Sequence, residues 1–202
     1  EKYAGVQGLL YGDNHAQYLE TQMHNFGISP RYAYLPGDGE GRHARFMASH
    51  ARHVITGDIS PVGVNKAIAF DSAEHQNKIT RLVSDATRAP LADEIIDVTA
   101  FMYLHVPPEE RRNIFRDINR VTKESGWLIL EGYHPHHITQ IGGKGPGDPA
   151  MGFDPEDIQD ELPWFDIVHT SVEHVVQADG SGHNGPAIVT LMTLKKREHA
   201  RG

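Results

Sequence analysis

Residues 32–41 read YAYLPGDGEG, a mostly apolar stretch followed by a glycine at every second position. The apolar part predicts a short β-strand that ends at Pro36, where the missing backbone donor of a proline costs little. The glycines predict a turn whose backbone can approach a ligand closely. Residues from Arg42 to about His50 predict a helix, whose first turn offers unpaired N–H groups to that ligand.

Short apolar segments and longer amphipathic segments alternate through the rest of the chain. Strands are predicted over residues 53–56, 79–83, 95–101 and 127–131, helices over residues 61–72 and 107–126, and a closing antiparallel hairpin over residues 165–177 and 187–194. This alternation is typical of an α/β fold in which a parallel sheet carries helices on its faces. The chain shows no internal repeat and no linker, so we expect a single domain over residues 1–202.

Acidic residues follow the next two predicted strands. Asp58 comes after the strand over residues 53–56, and Asp85 comes after the strand that ends at Val83. Ligands of open α/β sheets bind at the carboxyl ends of the strands, so we expect both acids and the glycine turn at one edge. A carboxylate at Asp58 can accept both ribose hydroxyls of a nucleoside, and Asp85 is suited to an adenine amino group. The spacing disfavours NAD, because the sixth position of the glycine motif is Arg42.

The amino-acid composition limits the classes of protein to which this chain can belong. The 202 residues have 39% hydrophobic content and no cysteine, and they contain no apolar run long enough to cross a bilayer. The absence of cysteine excludes disulfides and thiolate chemistry and fits a reducing compartment, so we expect a soluble, cytoplasmic protein without a membrane partner. A formal net charge of −8 disfavours a polyanionic partner.

Seven short motifs follow one another along the chain. Each is weak evidence alone, but the ordered set is specific for one family. They are GEGR at residues 39–42, GDIS at 57–60, SDA at 84–86, LHVPP at 104–108, GWLILE at 126–131, GPGDP at 145–149 and GHNG at 182–185. In this the chain resembles the class I S-adenosylmethionine (SAM)-dependent methyltransferases, in particular the tellurite-resistance-type and related small-molecule branch, over about residues 3–196. The resemblance implies a Rossmann-like, seven-stranded, mostly parallel sheet with an antiparallel last strand and helices on both faces. It also implies SAM as the cofactor.

The resemblance further implies where SAM binds. The expected contacts are Gly37, Asp38, Gly39, Arg42, Asp58, Ile59, Asp85, Ala86 and Phe101. Tyr11 resembles part of a lid over the cofactor, within an N-terminal lid segment over residues 1–30, and Tyr3 is expected to assist it. Many relatives carry an acid just before the glycines, where this chain has Leu35 and Pro36. Asp38 is the residue expected to compensate from inside the turn.

Methyl transfer from a sulfonium mainly requires an acceptor lone pair held in line with the C–S bond in a water-poor pocket. No metal is expected at the site. An acceptor that carries a proton benefits from a base, and His105, just beyond the fourth strand, is the predicted catalytic base. Its alternative role is packing or helix capping. His183 and Tyr133 are the next candidates, and the Gly-, Pro- and His-rich segment over residues 133–153 is the expected substrate-side loop.

The expected acceptor is a small molecule and not a nucleic acid. Residues 101–104, FMYL, lack the Asn/Asp-Pro-Pro-aromatic motif shared by enzymes that methylate the amino groups of bases, and the acidic balance agrees with this. The protein is expected to be a monomer or a homodimer.

Two other functions remain open from the sequence. The histidines of Tyr133-His134-Pro135-His136-His137 could bind zinc, iron or nickel, although adjacent histidines usually point apart. The glycine turn would also serve a non-catalytic sensor of SAM or of a nucleotide.

Overall fold

The computed structural model describes residues 3, 5, 7–142 and 145–198. Its seven strands are β1 (Tyr32–Pro36), β2 (His53–Asp58), β3 (Ile79–Val83), β4 (Ile96–Met102), β5 (Thr122–Tyr133), β6 (Phe165–Asp179) and β7 (His183–Lys196). They form one sheet in the order β3-β2-β1-β4-β5-β7-β6. Strand β7 runs antiparallel to both of its neighbours, whereas β1 to β5 pair in parallel. The predicted seven-stranded sheet with an antiparallel last strand is confirmed.

Six α-helices accompany the strands in the described part of the chain. They are α1 (Gln17–Asn25), α2 (Arg42–Ala48), α3 (Pro61–Phe70), α4 (Ala73–Lys78), α5 (Pro108–Val121) and α6 (Pro155–Glu161). The cap of α3 is local in origin, because the Ser60 hydroxyl accepts a hydrogen bond from the backbone N–H of Gly63 and Pro61 occupies the first helical position. No helix within the described residues is both long enough and apolar enough to span a bilayer.

The two faces of the sheet bury separate apolar clusters. On one face, Val98 and Ala100 of β4 pack with residues of α1 and α2. On the other face, Phe101 of the same strand packs with residues of α5 and α6. Successive side chains of a strand point to opposite faces, so this alternation places helices on both sides of β4. The carboxyl ends of β1, β2 and β4 are thereby held at one edge of a buried sheet.

The structure differs from the predicted elements at two helix boundaries. Helix α5 ends at Val121 and not at Gly126, because β5 already begins at Thr122. Between Thr122 and Trp127 the pairing of β5 with β4 shifts register, and Ser125 adopts a positive φ of 59° there. Gly126 therefore lies in a bulge, and a Cβ at that position would meet the side chain of Thr122. Glycine in a strand bulge and glycine after a helix look alike in a sequence.

The predicted helix over residues 61–72 is two helices in the structure. The Ser72 hydroxyl accepts a hydrogen bond from the N–H of His75, and the His75 ring accepts one from the N–H of Ser72. This reciprocal cap ends α3 at Phe70 and starts α4 at Ala73.

Candidate active site

A cavity of about 730 Å³ opens at the carboxyl ends of β1, β2 and β4. This volume lies within the range of about 300–1,000 Å³ that is usual for small-molecule sites. One part, which we call the loop end, is lined by the glycine turn and by Asp58, Ile59 and Ser60. The other part, which we call the aromatic end, is lined by Tyr11, Tyr103, His105, Tyr133 and His183. Since β1 lies between β2 and β4 in the sheet, the two ends are adjacent.

The glycine turn has the left-handed backbone that favours glycine. Gly37, Gly39 and Gly41 have φ values of 66°, 54° and 84°. At Gly39 a side chain would also collide with the hydroxyl of Tyr3, which lies over the turn. The turn thus requires glycine both for its conformation and for close packing beneath Tyr3.

Asp58 is held at the end of β2 by two backbone donors. Its Oδ2 accepts a hydrogen bond from the N–H of Gly39 at 2.9 Å, and its Oδ1 accepts one from the N–H of Ser60 at 2.8 Å. The carboxylate therefore joins the glycine turn to the start of α3. Each carboxylate oxygen has a second lone pair, so Asp58 can still accept hydrogen bonds from two hydroxyls of a ligand.

Ile59 follows Asp58 and is 76% exposed at the cavity. An exposed isoleucine beside a polar anchor offers an apolar surface to a flat ring. This is the position at which the resemblance implies a contact with SAM.

The side chain of Asp38 packs beneath the glycine turn and does not extend into solvent. Its side chain is buried, and its Oδ2 accepts a hydrogen bond from Arg81, which also binds Asp71 through two hydrogen bonds. Burial raises the pKa of Asp38 to about 7, although Arg81 and Arg45 both lower it. The carboxylate of Asp38 is thus paired with arginine, and its predicted compensation for Leu35 and Pro36 stays a prediction.

Arg42 fastens two distant segments to the start of α2. Its Nη1 donates to the carbonyl oxygens of Tyr11 and Asn14, at 3.1 and 3.2 Å. Its Nη2 donates to Nδ1 of His183 at 3.0 Å, and Asp179 lies 3.5 Å from Nη1. One buried guanidinium therefore holds the N-terminal segment and the β6–β7 turn over the cavity.

The structure brings most of the predicted site residues together. Those that line the cavity are Tyr11, Gly37, Asp38, Gly39, Arg42, Asp58, Ile59 and His105, together with Tyr3, Tyr133 and His183. Asp85, Ala86 and Phe101 do not line it. Asp85 is exposed and accepts hydrogen bonds from the N–H and hydroxyl of Thr87. Phe101 is fully buried between Phe115 and Phe153 in the core, which separates it from any ligand in this conformation.

His105 lines the aromatic end, but both of its ring nitrogens bind the backbone. Nδ1 lies 2.9 Å from the carbonyl oxygen of Met151, which can only accept, so Nδ1 carries the proton. Nε2 accepts a hydrogen bond from the N–H of Tyr133 at 3.1 Å. The lone pair that a base would use is therefore occupied. This geometry favours the alternative, packing role, in which His105 joins the residue 133–153 loop to the end of β4, and the base role stays a prediction.

Replacing His105 with glutamine tests this assignment. Glutamine can donate to one backbone group and accept from the other, so we expect methyl-transfer rates within about threefold of wild type and no change in the shape of the pH–rate profile. Alanine leaves the Met151 carbonyl and the Tyr133 N–H unpaired and is expected to lower the free energy of unfolding by about 1–3 kcal/mol. Loss of a titrating limb in the glutamine variant would support the base role.

Four polar side chains at the aromatic end form a hydrogen-bonded chain, of which sequence reasoning named only Tyr133. The Tyr133 hydroxyl donates to Oε1 of Gln177 at 2.9 Å, and Nε2 of Gln177 donates to the Tyr103 hydroxyl at 2.8 Å. The Tyr103 hydroxyl donates to Oε1 of Glu131 at 2.6 Å. Tyr103 could have been found, because it follows β4 at the sheet edge that binds ligands. Gln177 lies in the hairpin, and nothing in the sequence connects it to the site.

The histidines over residues 134–137 make hydrogen bonds and ring contacts within the loop itself. His136 donates its backbone N–H to Nδ1 of His134, and the ring of His137 stacks on Tyr133 with a centroid separation of 4.2 Å. Within the described residues, no group of three His, Asp or Glu side chains is arranged to hold a metal ion.

Comparison with known proteins agrees with this geometry. Residues 36–126 match the sequence model of a methyltransferase domain family. This range contains the glycine turn and Asp58. A comparison with curated protein sequences finds no match.

Several solved structures share the fold. A SAM-dependent methyltransferase from Methanosarcina mazei aligns with a TM-score of 0.72 at 16% identity, covering 92% of this chain and 100% of its own. A SAM-dependent methyltransferase from Anabaena variabilis gives a TM-score of 0.71 at 15% identity, covering 97% and 90%. The N-methyltransferase NodS from Bradyrhizobium japonicum gives 0.68 at 12% identity, covering 90% and 93%. The domain match over residues 36–126 supports methyl transfer as the reaction of this chain, and the solved structures show that its fold is shared with SAM-dependent methyltransferases.

Proposed function

We propose that this chain transfers the methyl group of SAM to a small-molecule acceptor by in-line displacement, and that it belongs to the tellurite-resistance-type and related small-molecule branch. The observation that carries the proposal is one continuous cavity that is lined both by a nucleoside-type anchor, Asp58, and by the aromatic end. Bound SAM supplies an activated methyl group on its sulfonium. The chain's own contribution is to hold both partners and to exclude water.

The loop end fits the cofactor by its donor and acceptor chemistry. Asp58 is the residue we assign to the ribose hydroxyls, and Ile59 is assigned to one face of the adenine. The turn over residues 37–41 brings backbone close to the amino acid end of SAM. We retain three further SAM contacts in the proposal, namely Asp85, Ala86 and Phe101. Contact with SAM would require the segment after β3, or the core around β4, to move.

The aromatic end fits a small acceptor. Tyr103 lies with its ring centroid 4.4 Å from that of His183 and 5.2 Å from that of Tyr133. These rings pack directly against one another, and together they offer an aromatic surface on which a small organic group can pack. The net charge of −8 agrees, because an acidic protein repels nucleic acid. We also propose a cytoplasmic location and a monomeric or homodimeric state.

The test is turnover of SAM to S-adenosylhomocysteine with a panel of thiols, phenols, small amines and metalloid oxyanions. We expect SAM to bind without added metal and product to form with at least one class of acceptor. Tight binding of SAM with no turnover across the panel would contradict the enzyme proposal and favour a sensor. Binding of zinc or nickel without binding of SAM would contradict both.

A further inference from the structure

Glu131 is a buried acid that the proposed reaction has not yet used. It lies in β5, is 9% exposed, and is not among the residues that line the cavity. Its Oε1 accepts the hydrogen bond from the Tyr103 hydroxyl, whereas its Oε2 is buried without a hydrogen-bond partner. Burying an acid and leaving one oxygen unpaired is costly, so a functional reason for its position is warranted.

Tyr103 connects this acid to the cavity. It follows β4 with a positive φ of 55°, and its N–H donates to the carbonyl oxygen of Glu131 at 2.7 Å. A left-handed backbone at a bulky residue stores strain and is often found at functional sites. Here it places the ring of Tyr103 along the cavity wall while its hydroxyl reaches Glu131.

The hydrogen bonds fix the direction of the Tyr103 proton. Nε2 of Gln177 can only donate, so the Tyr103 oxygen accepts from it and gives its own proton to Glu131. The amide of Gln177 is oriented in turn by the Tyr133 hydroxyl, which donates to its Oε1. Tyr103 lines the cavity, and a phenol oxygen has two lone pairs, so the Tyr103 oxygen has capacity for one further hydrogen bond.

We propose that the methyl acceptor carries a hydroxyl or a thiol, and that Tyr103 and Glu131 remove its proton. This inference rests on the proposed methyl transfer. The acceptor oxygen or sulfur forms a bond to the methyl carbon as the C–S bond of SAM breaks and its electron pair stays on sulfur. The acceptor proton passes to the Tyr103 oxygen, and the Tyr103 proton passes to Oε1 of Glu131. Tyr103 is the catalytic residue that touches the acceptor, and Glu131 is the terminal base.

The groups around Glu131 leave the pKa of its carboxyl above the usual value. Burial raises the pKa of Glu131, the Tyr103 hydrogen bond and Arg42 of α2 lower it, and Asp179 and Glu173 of β6 raise it again. Tyr18 of α1 also faces Glu131. Burial and the nearby Glu131 hold the pKa of Tyr103 well above its usual value, so the phenol passes a proton on and does not remain ionised. Because a base must be deprotonated to act, the rate should rise with pH as Glu131 ionises.

Paired acceptors of different acidity test the relay. Among thiols, 2-mercaptoethanol is mostly protonated at about pH 7 and 4-nitrothiophenol is ionised; among phenols, 4-methoxyphenol and pentafluorophenol form the same pair. In Glu131→Gln, which keeps the hydrogen bond from Tyr103, we expect the single-turnover rate to fall by about 10²-fold for the protonated acceptor and by less than about threefold for the ionised one. Tyr103→Phe is expected to behave in the same way, and both variants should bind SAM with unchanged affinity by calorimetry.

Glu173→Gln is the matched control, because it removes one exposed carboxylate that faces Glu131 without touching Tyr103. We expect it to stay within about twofold of wild type for both acceptors. Equal losses for protonated and ionised acceptors in Glu131→Gln, or no loss, would overturn the relay and leave the methyl transfer intact. Wild-type turnover confined to amines or metalloid oxyanions would do the same. Binding of SAM without turnover of any acceptor would overturn the methyl transfer and the relay together.

Discussion

Asp58→Ala is expected to weaken SAM binding by about 10²- to 10⁴-fold. Hydrogen bonds from two ribose hydroxyls to a carboxylate are charge-assisted, and removing them costs about 1.5–3 kcal/mol each. The substitution also frees the backbone N–H groups of Gly39 and Ser60, which Asp58 binds at 2.9 and 2.8 Å. The glycine turn would then lose its attachment to the start of α3. Calorimetric titration of SAM into the purified variant measures the effect directly.

Two companion variants make the Asp58 result specific. Asp58→Asn keeps the size of the side chain but replaces one acceptor oxygen with a donor, so we expect an intermediate loss and a melting temperature closer to that of wild type. Asp85→Ala removes the other strand-end acid, which is exposed and does not line the cavity. A loss of at least tenfold in Asp85→Ala would support its predicted contact with adenine. Unchanged affinity in a folded Asp58→Ala would remove Asp58 from the site.

The loop end could be predicted from the sequence because its residues are local to strand ends. A glycine turn after β1 and an acid after β2 are each visible in a few consecutive residues. Parallel pairing then places them at the same edge, and the structure shows the N–H of Gly39 bound to Asp58 across 19 positions of sequence. Strand order was the one assumption needed, and it is the feature that the sheet confirms.

The aromatic end could not be predicted in the same way because long-range packing builds it. Tyr103 follows β4, Glu131 lies in β5 and Gln177 lies in β6, and only the folded sheet and hairpin bring the three side chains into contact. His105 shows the complementary difficulty. Its position after β4 predicted a base, but its role depends on the carbonyl of Met151, which lies 46 residues away. Position along a strand predicts proximity to a site, whereas hydrogen-bond partners decide what a side chain can do there.

Arg42→Ala is expected to release the N-terminal segment and the β6–β7 turn together. Arg42 is buried, and its guanidinium donates to the carbonyl oxygens of Tyr11 and Asn14 and to the ring of His183. Breaking a buried charged network by removing one partner costs about 3–5 kcal/mol, because the remaining groups are left unpaired. We expect the free energy of unfolding to fall by about that amount, and SAM affinity to fall by at least about tenfold as Tyr11 loses its support.

Hydrogen exchange separates this mechanism from a general loss of stability. The N–H of Gly182 donates to the carbonyl of Leu10 at 2.8 Å, and the N–H of Leu10 donates to Glu40 at 2.7 Å, so both amides report on the segments that Arg42 joins. In Arg42→Ala these two amides should exchange much faster while amides in β4 keep their rank as the slowest. Arg42→Lys retains the positive charge but has a single nitrogen from which to donate. We therefore expect it to restore only part of the protection of these two amides from exchange. Arg52→Ala, at an exposed arginine, is the control that should leave exchange and affinity unchanged. Unaltered protection of Leu10 and Gly182 in Arg42→Ala would show that packing of Tyr3 and Tyr11, and not the guanidinium, holds these segments over the cavity.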